Sequence, residues 1–291
     1  MMYVEESIMQ KGLPATAGSK SLEGFIAPFD ATVVTLLGDK TGRFKLGEFG
    51  LSKPKQLPDG TLLCNDVFGH IRRMAAENGM FYIRPTYGTV SRYGLIPTAS
   101  SMDQIGILCK DPNEGFALLE QIAVADAKDG AMAGNTLPKE EPPRKRDISE
   151  EIQELVLTVL AYAEISNNIS RYDGVKFGFR AAGCTGLESL YTKTRTEGLG
   201  LEAKLAAVTG CAVLSQEHYE TIYVKAMKIR RLIKESVRFD KTEIVKVTPG
   251  SPLAVLCGLP SLTFSHKGEG IQLIANVSNE KALLSEWEAM Q

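Results

Sequence analysis

The residues best suited to chemistry are concentrated between positions 85 and 108, in the stretch PTYGTVSRYGLIPTASSMDQIGIL. Hydroxyl groups and glycines crowd this stretch, which also holds a cation, Arg92, and an anion, Asp103. Glycine allows the backbone to approach a ligand closely, and hydroxyl and charged side chains bind or activate it. The composition predicts the surroundings of an active site. A glycine-flanked arginine is also typical of an internal ion pair, which is the alternative interpretation of Arg92.

A thiol and an imidazole lie shortly upstream, in CNDVFGHIRR. Cys64 could act as a nucleophile with His70 as its base. Six residues separate the two and no partner pattern accompanies them, so a buried Cys64 and a loop His70 are favoured. The five cysteines are scattered without a CxxC pair, which argues against a zinc site and a disulfide framework. We expect no metal and no cofactor.

Periodic apolar residues and capping signals predict the helices around this region. DPNEGFALLEQIAVA begins with Asp111 as N-cap and Pro112 at the first helical position, and Glu114 completes a capping box. The same capping pattern, with Asp147 as N-cap and Glu150 completing the capping box, is predicted at the start of DISEEIQELVLTVLAYAEI. The predicted buried stripe of this second helix consists of Ile152, Leu155, Val156, Val159 and Leu160.

A third helix is predicted over residues 216–237. Its predicted inward-facing residues are Ile222, Ala226, Ile229, Ile233 and Val237. Its basic residues are expected on a solvated face, with a docking face as the alternative; they are Lys225, Lys228, Arg230, Arg231 and Lys234. Short β-rich runs predict strands at residues 32–37, 80–83, 243–247, 262–265 and 271–275. The alternation of elements predicts an α/β fold with a mixed β-sheet flanked by helices.

Bulk properties describe an ordinary globular chain. We expect a single domain over residues 1–291, with an internal linker at residues 135–147, where proline and charge leave no apolar face. The formal charge of −2 and the short basic run at residues 144–146 argue against direct nucleic-acid binding. No apolar run is long enough to span a bilayer, and the N-terminus carries no secretory pattern. We therefore expect no membrane partner and a cytoplasmic location.

Taken together, these stretches resemble the amidase-signature family, and most of all the A subunit of the glutamyl-tRNA(Gln)/aspartyl-tRNA(Asn) amidotransferase. The stretch at residues 85–108 is similar to the segment that follows the catalytic turn of the family. Further similar blocks follow in the family's order, at residues 11–34, 163–181, 191–204, 258–265 and 270–284. The resemblance implies the family's central mixed sheet flanked by helices, in a truncated form.

The resemblance also implies a catalytic set: a nucleophilic serine, a second serine in a cis peptide, a neutral lysine base and a glycine-rich oxyanion turn. Counted back from KGLP at residues 11–14, the lysine position holds Glu5. Counted back from the PTYG motif, the nucleophile position holds His70, and the first of the paired glycines is replaced by Phe68. The Gly-Ser-rich run that carries the cis-serine has no counterpart. We therefore expect none of the three catalytic groups.

Substrate recognition is predicted to be eroded as well. The arginine that the family uses to hold the glutamine carboxylate falls at Ala206, and the segment that carries the aspartate for the glutamine amine is shortened. The positions that remain predict a remnant cleft lined by Asp66, Phe68, Gly69, His70, Arg72, Ser100, Ser101, Asp103 and Gln104.

Two functions fit this pattern. The first is a catalytically degenerate homologue of the A subunit that binds, scaffolds or regulates, paired with itself or with amidotransferase-type subunits. The alternative is a minimal amidotransferase subunit or amidase that acts on a carboxamide such as glutamine, with non-standard residues or only together with partner subunits. A third possibility is that the former active-site cleft, lined by Ser100, Ser101 and Asp103, binds a small ligand.

Overall fold

The computed structural model describes residues 1–38, 41–132, 148–237 and 244–291. Its strands are β1 (Met2–Glu5), β2 (Gly42–Phe44), β3 (Thr61–Asn65), β4 (Phe81–Arg84), β5 (Ile105–Cys109), β6 (Val245–Val247), β7 (Ser261–His266) and β8 (Glu269–Ile274). They form a single sheet in the order β2-β1-β3-β5-β4-β7-β8-β6. β1 runs parallel to both of its neighbours, whereas the pairs from β3 to β6 along the sheet are antiparallel. The predicted mixed sheet is confirmed.

The helices lie on both faces of this sheet. They are α1 (Thr32–Leu37), α2 (His70–Glu77), α3 (Pro112–Ile122), α4 (Glu150–Ile169), α5 (Leu187–Gly198), α6 (Leu201–Val213), α7 (Val224–Ser236), α8 (Leu253–Cys257) and α9 (Glu280–Ala289). Three short turns accompany them, at Lys20–Leu22, Glu48–Gly50 and Tyr219–Tyr223. The last of these is a π-helical turn that leads directly into α7.

Alternation along the strands separates two apolar layers. On β3, Leu62 and Cys64 pack with Ile71 of α2, whereas Leu63 between them belongs to the cluster that contains Phe116 of α3. Side chains of successive strand residues point to opposite faces, so α2 and α3 cover opposite sides of the sheet. A third cluster joins α4, α6, α7 and α8. α2 thus packs on one face of the sheet, and it begins a few residues after the end of β3.

Most of the predicted strands are confirmed, since residues 80–83, 262–265 and 271–275 fall largely in β4, β7 and β8. The strand predicted at residues 243–247 is observed as β6, although residue 243 lies outside the described residues. The strand predicted at residues 32–37 is wrong, because the run TVVTLL forms α1, with Val33 and Val34 buried. Packing against α3 outweighs the β propensity of the branched residues. The predicted linker at residues 135–147 also lies outside the described residues.

The start of α3 is confirmed, because the Asp111 carboxylate accepts a hydrogen bond from the Asn113 amide. The start of α4 is corrected: its N-cap is Ser149, and Asp147 lies outside the described residues. The buried stripe of α4 is rotated as well. Ile152 and Leu155, predicted to be buried, are 44% and 63% exposed, whereas the buried positions are Val156, Leu157, Leu160, Ala161, Ala163, Ile165 and Ile169. These positions face α6 and α7, which sequence periodicity alone does not locate.

The third predicted helix is interrupted near its start. Ala226 and Ile233 are buried as predicted, but Ile222 is 37% exposed. Ile222 lies in the π-helical turn, where the Val224 amide donates to the Tyr219 carbonyl five residues earlier. One extra residue in a turn shifts the phase of the helix that follows, so the predicted inward face of α7 does not extend back to Ile222.

Candidate functional site at the start of helix α2

The turn between β3 and α2 is organised by Asp66. Its carboxylate accepts hydrogen bonds from the backbone amides of Ile71 and Arg72, at 3.3 and 3.1 Å. The first amides of a helix have no partner within the helix, so Asp66 performs the capping that Gly69, the N-cap residue, cannot perform. The carboxylate is 3% exposed, and its contacts make the helix start rigid.

Arg72 connects this turn to residues 249–251, which are distant along the chain. Its guanidinium donates to the Asp66 carboxylate at 3.2 Å and to the carbonyl oxygens of Pro249 and Ser251 at 3.0 and 3.2 Å. Both members of the ion pair are buried. Gly69 has φ of +80°, and a Cβ at that position would lie 2.8 Å from the Arg72 guanidinium carbon. Glycine is therefore required there for the turn and for the arginine beneath it.

His70 is the first residue of α2, and its imidazole points to a neighbouring loop. Nε2 lies 3.1 Å from the carbonyl oxygen of Leu51, which can only accept, so Nε2 carries the proton. Burial lowers the pKa of His70, against the opposing charge of Asp66. The Phe68 ring lies 6.4 Å from the imidazole and 6.1 Å from the Tyr162 ring. Burial thus favours the neutral imidazole, which lies between the Leu51 carbonyl and the Phe68 ring.

Glu5, at the end of β1, is buried beside the same turn. Its carboxylate is 3% exposed and accepts a hydrogen bond from the Asn65 amide at 2.9 Å. Burial raises its pKa to about 7, although the hydrogen bond from Asn65 opposes that rise. A carboxyl group with this pKa changes its charge near neutral pH.

Asn65 joins this region to the second part of the predicted cleft. Its side-chain amide donates to the Asp103 carboxylate at 2.7 Å, and its side-chain oxygen accepts from the Gln104 amide at 3.2 Å. Asp103 also accepts from the amides of Thr98 and Ala99, both at 3.0 Å. Sequence reasoning missed Asn65, although it directly precedes Asp66 in the retained stretch CNDVFGHIRR. These side chains are buried and hydrogen-bonded to one another, so they build a structural junction.

Ser101 is drawn away from the other predicted cleft residues. Its amide and hydroxyl donate to the Glu164 carboxylate at 2.9 and 2.5 Å, and the Arg230 guanidinium donates to its hydroxyl at 2.9 Å. Arg230 also donates to the Leu256 carbonyl, so it is not part of a solvated face of α7 as predicted. Neither Glu164 nor Arg230 was singled out from the sequence as a site residue, because each comes from a helix distant along the chain.

Ser100 and Arg92 form a third location. The Arg92 guanidinium is ion-paired with Asp129 at 3.0 Å, which confirms the internal ion pair as its role. The same guanidinium donates to the Ser100 carbonyl. The predicted remnant cleft is therefore divided among three places: the start of α2, the Ser101 network and the Arg92 ion pair.

The space left at the start of α2 is small. A cavity of about 10 Å³ lies there, lined by Leu46, Gly47, Gly50, Ser52, Pro54, Asn65, Asp66, His70 and Ile71. One water molecule requires about 10–15 Å³ of such volume. Gly50, Ser52 and Pro54, from the loop that carries Leu51, line this cavity, and it holds no room for an organic substrate.

The geometry does not support thiol chemistry in this region. Cys64 is fully buried under α2 with Leu62 and Tyr82, and burial raises the pKa of its thiol well above the ordinary value. A thiol of that kind is not a nucleophile. Within the four described ranges, no three His, Cys, Asp or Glu side chains are grouped as metal ligands require.

Comparison with known proteins places this fold. The family model described as Amidase matches residues 63–149. The A subunit of the glutamyl-tRNA(Gln) amidotransferase of Trichodesmium erythraeum is 31% identical, over 96% of this chain and 81% of the relative. The corresponding A subunit of Persephonella marina is 32% identical, over 86% of this chain and 68% of the relative. This chain belongs to the amidase family.

Solved structures agree with the amidase assignment of the fold. One amidase crystal structure has a TM-score of 0.69 and 17% identity over 99% of this chain and 83% of its own. The crystal structure of the amidotransferase A subunit from Thermotoga maritima has a TM-score of 0.59 and 22% identity over 97% of this chain and 80% of its own. The alignment with the Trichodesmium relative extends over 393 residues, whereas this chain has 291. The amidase relative therefore has internal residues that this chain lacks, as the truncated form predicts.

The positions of the three amidase catalytic groups in this chain are assigned by sequence register. That register puts Glu5 at the lysine position and His70 at the nucleophile position, and the structure places both residues around Asn65 and Asp66. No peptide bond in the described ranges is cis.

No helix in those ranges is long and apolar enough to cross a membrane.

Proposed function

We propose that this protein is a non-catalytic member of the amidase family that works by binding, as a scaffold or regulator in the cytoplasm. The observation that carries this proposal is the cavity of about 10 Å³ at the start of α2. A carboxamide group needs several times the space of one water molecule, so it has no place beside His70. The neighbouring polar groups are committed to internal hydrogen bonds, which makes opening the cavity costly.

The chemistry of the two substituted positions supports the same proposal. His70 offers no hydroxyl to attack a carbonyl carbon, and its Nε2 is committed to the Leu51 carbonyl. Glu5, when ionised, would place negative charge next to a developing oxyanion, where a cation or an amide donor is needed. A fold that keeps its capping and its core while these groups are replaced is consistent with a role in binding.

A binding surface is available on α6. Leu201, Leu205 and Val208 follow each other at helical spacing and are 76%, 55% and 71% exposed. The opposite side of the helix is buried, and at Gly210 a Cβ would lie 2.1 Å from the Tyr162 carbonyl of α4. Large apolar groups gathered on one exposed face are typical of an interaction site. Because the relatives are named as one subunit of an amidotransferase, we propose amidotransferase-type subunits as the occupant.

A second function is favoured by the shifted acid–base groups. Burial raises the pKa of Glu5 to about 7 and lowers the pKa of His70, and both groups lie beside the same turn. Groups tuned in this way are common in active sites. The alternative is therefore a minimal amidase or amidotransferase subunit, active on glutamine once partner subunits have opened the loop at Leu51.

Ammonia release from glutamine and asparagine separates the two functions. The purified protein is assayed alone and with the other subunits of an amidotransferase such as that of Trichodesmium erythraeum. We expect no release above that of the subunits alone. Release that appears only with this chain and disappears in His70→Ala or Glu5→Ala would establish the enzyme instead, and Lys53→Ala serves as a surface control.

A further inference from the structure

A larger cavity lies apart from the start of α2, between the segment after β4 and the loop after α3. Its volume is about 190 Å³, and Arg92, Tyr93, Ser100, Asp103, Lys128 and Asp129 are among its lining residues. One water molecule requires about 10–15 Å³ of such volume, so this space holds several waters. It is smaller than the sites of about 300–1,000 Å³ that take drug-sized ligands. A nucleotide is too large for it, whereas a small metabolite-sized molecule fits.

The acceptor groups of this cavity are already used. The Asp129 carboxylate accepts from the Arg92 amide at 2.8 Å, from its guanidinium at 3.0 Å and from the Ala131 amide at 3.0 Å. Although burial opposes it, these hydrogen bonds lower the pKa of Asp129 below its ordinary value. Asp103 is occupied by Asn65 and two backbone amides, as described above. The two carboxylates are therefore satisfied within the protein and attract no further donor.

Arg92 is committed in the same way. Beyond its pair with Asp129, its guanidinium donates to the Tyr87 hydroxyl at 2.8 Å and to the Ser100 carbonyl at 2.5 Å. The guanidinium carbon also lies 4.8 Å from the centroid of the Tyr87 ring. The charges of Arg92 and Asp129 therefore largely cancel where these two side chains line the cavity.

The groups left over are donors. The Lys128 ammonium lies 4.7 Å from the centroid of the Tyr93 ring and forms no ion pair with any described residue. Its nearest acid along the chain apart from Asp129 is Asp126, whose carboxylate already accepts from the Ser91 and Thr32 hydroxyls and from the Lys128 amide. The Ser100 hydroxyl accepts only a long contact of 3.5 Å from Asn168, so its proton is free to donate.

We propose that this cavity binds a small anion, a carboxylate or a phosphate, held by the Lys128 ammonium and the Ser100 hydroxyl against the Tyr93 ring. Both residues are exposed at the rim of this cavity and belong to its lining, and an ammonium together with a hydroxyl donor matches an oxyanion. The inference does not depend on the proposed loss of catalysis, because none of these residues lies at the start of α2.

Isothermal titration at constant ionic strength tests the site with two anions, inorganic phosphate and glutarate. Glutaramide, the neutral diamide of similar shape to glutarate, is the uncharged control. We expect at least one anion to bind with a Kd of about 1 mM or below and glutaramide not to bind. Which anion binds more tightly tells the carboxylate site from the phosphate site.

Variants locate the binding. Lys128→Gln is expected to raise the Kd at least about tenfold, which corresponds to roughly 1.4 kcal/mol, and Ser100→Ala to raise it by a smaller factor. Lys53→Gln makes the same charge change on an exposed lysine paired with Glu77, and it is expected to leave the Kd unchanged. Equal weakening by Lys128→Gln and Lys53→Gln, a Kd that Lys128→Gln leaves unchanged, or no binding of either anion by the wild type would each overturn the proposal.

Discussion

Glu5 carries a carboxyl group inside the protein, with the Asn65 amide as its hydrogen-bond donor. Because burial raises its pKa from the ordinary 4.5 to about 7, the folded protein binds the Glu5 proton more tightly than the unfolded chain does. Stability from this group is therefore present below about pH 4.5 and is lost as the pH rises towards 7. We predict that Glu5→Gln gains stability relative to the wild type between pH 5 and pH 8, by up to about 3 kcal/mol.

Urea denaturation at pH 5 and pH 8 measures this difference. Glutamine keeps an oxygen for the Asn65 amide, so the variant changes mainly the charge. Glu23→Gln, at an exposed position, serves as the control and should show no such change between the two pH values. A stability difference between wild type and Glu5→Gln that is the same at both pH values would contradict a buried, titrating Glu5.

Single residues also show how far the sequence could be interpreted. The register at CNDVFGHIRR grouped Asp66, Gly69, His70 and Arg72, and these residues do lie together, because they fall within seven positions and are joined by local turns. Asn65, Glu164 and Arg230 were missed, because their roles are set by partners from distant parts of the chain. A pattern of spacing describes neighbours on one element, and it carries no signal for such contacts.

Helix α2 depends on Asp66 in two ways, through capping and through the buried pair with Arg72. We predict that Asp66→Ala lowers the free energy of unfolding by about 3–5 kcal/mol, because it leaves the Arg72 charge buried without its carboxylate. Asp111→Ala removes a comparable cap from α3, but that aspartate is exposed, so a loss of only about 1 kcal/mol is expected. Chemical denaturation of the two variants gives the comparison, and equal losses would show that the Arg72 pair adds nothing beyond the cap.

At the scale of elements, local signals were reliable where a helix end is decided by its own residues. Asp111 and Pro112 identified the start of α3 correctly. Local signals gave the wrong result where packing determines the structure. α1 is helical despite its β-branched residues, and the apolar face of α4 is rotated towards α6 and α7. The phase shift at the Tyr219–Tyr223 turn is a further case, because the hydrogen bond over five residues leaves no composition signal.

Across the whole molecule, the amidase fold is kept while its interior at the start of α2 is closed. The mixed sheet, the Asp66–Arg72 lock and the Asn65 junction hold β1, β3, β5 and α2 in place without a substrate. The proposed binding role needs an outer surface, and α6 presents three exposed apolar side chains at helical spacing, Leu201, Leu205 and Val208. The proposed partner subunits should therefore meet α6.

We predict that Leu205→Glu and Val208→Glu each weaken the complex with the other amidotransferase subunits at least about tenfold, because a charge placed in an apolar interface loses its hydration. Both side chains are more than half exposed, so the isolated variants are expected to keep the wild-type melting temperature. Leu187→Glu, on α5 and 59% exposed, makes the same chemical change elsewhere and is expected to bind normally. Sedimentation velocity of each variant, alone and with the other subunits, measures binding, and a thermal melt of each isolated variant checks its stability. If the wild type alone forms a dimer that Leu205→Glu dissociates, the occupant of α6 is a second copy of this chain; if no variant changes any complex, α6 is not the binding surface.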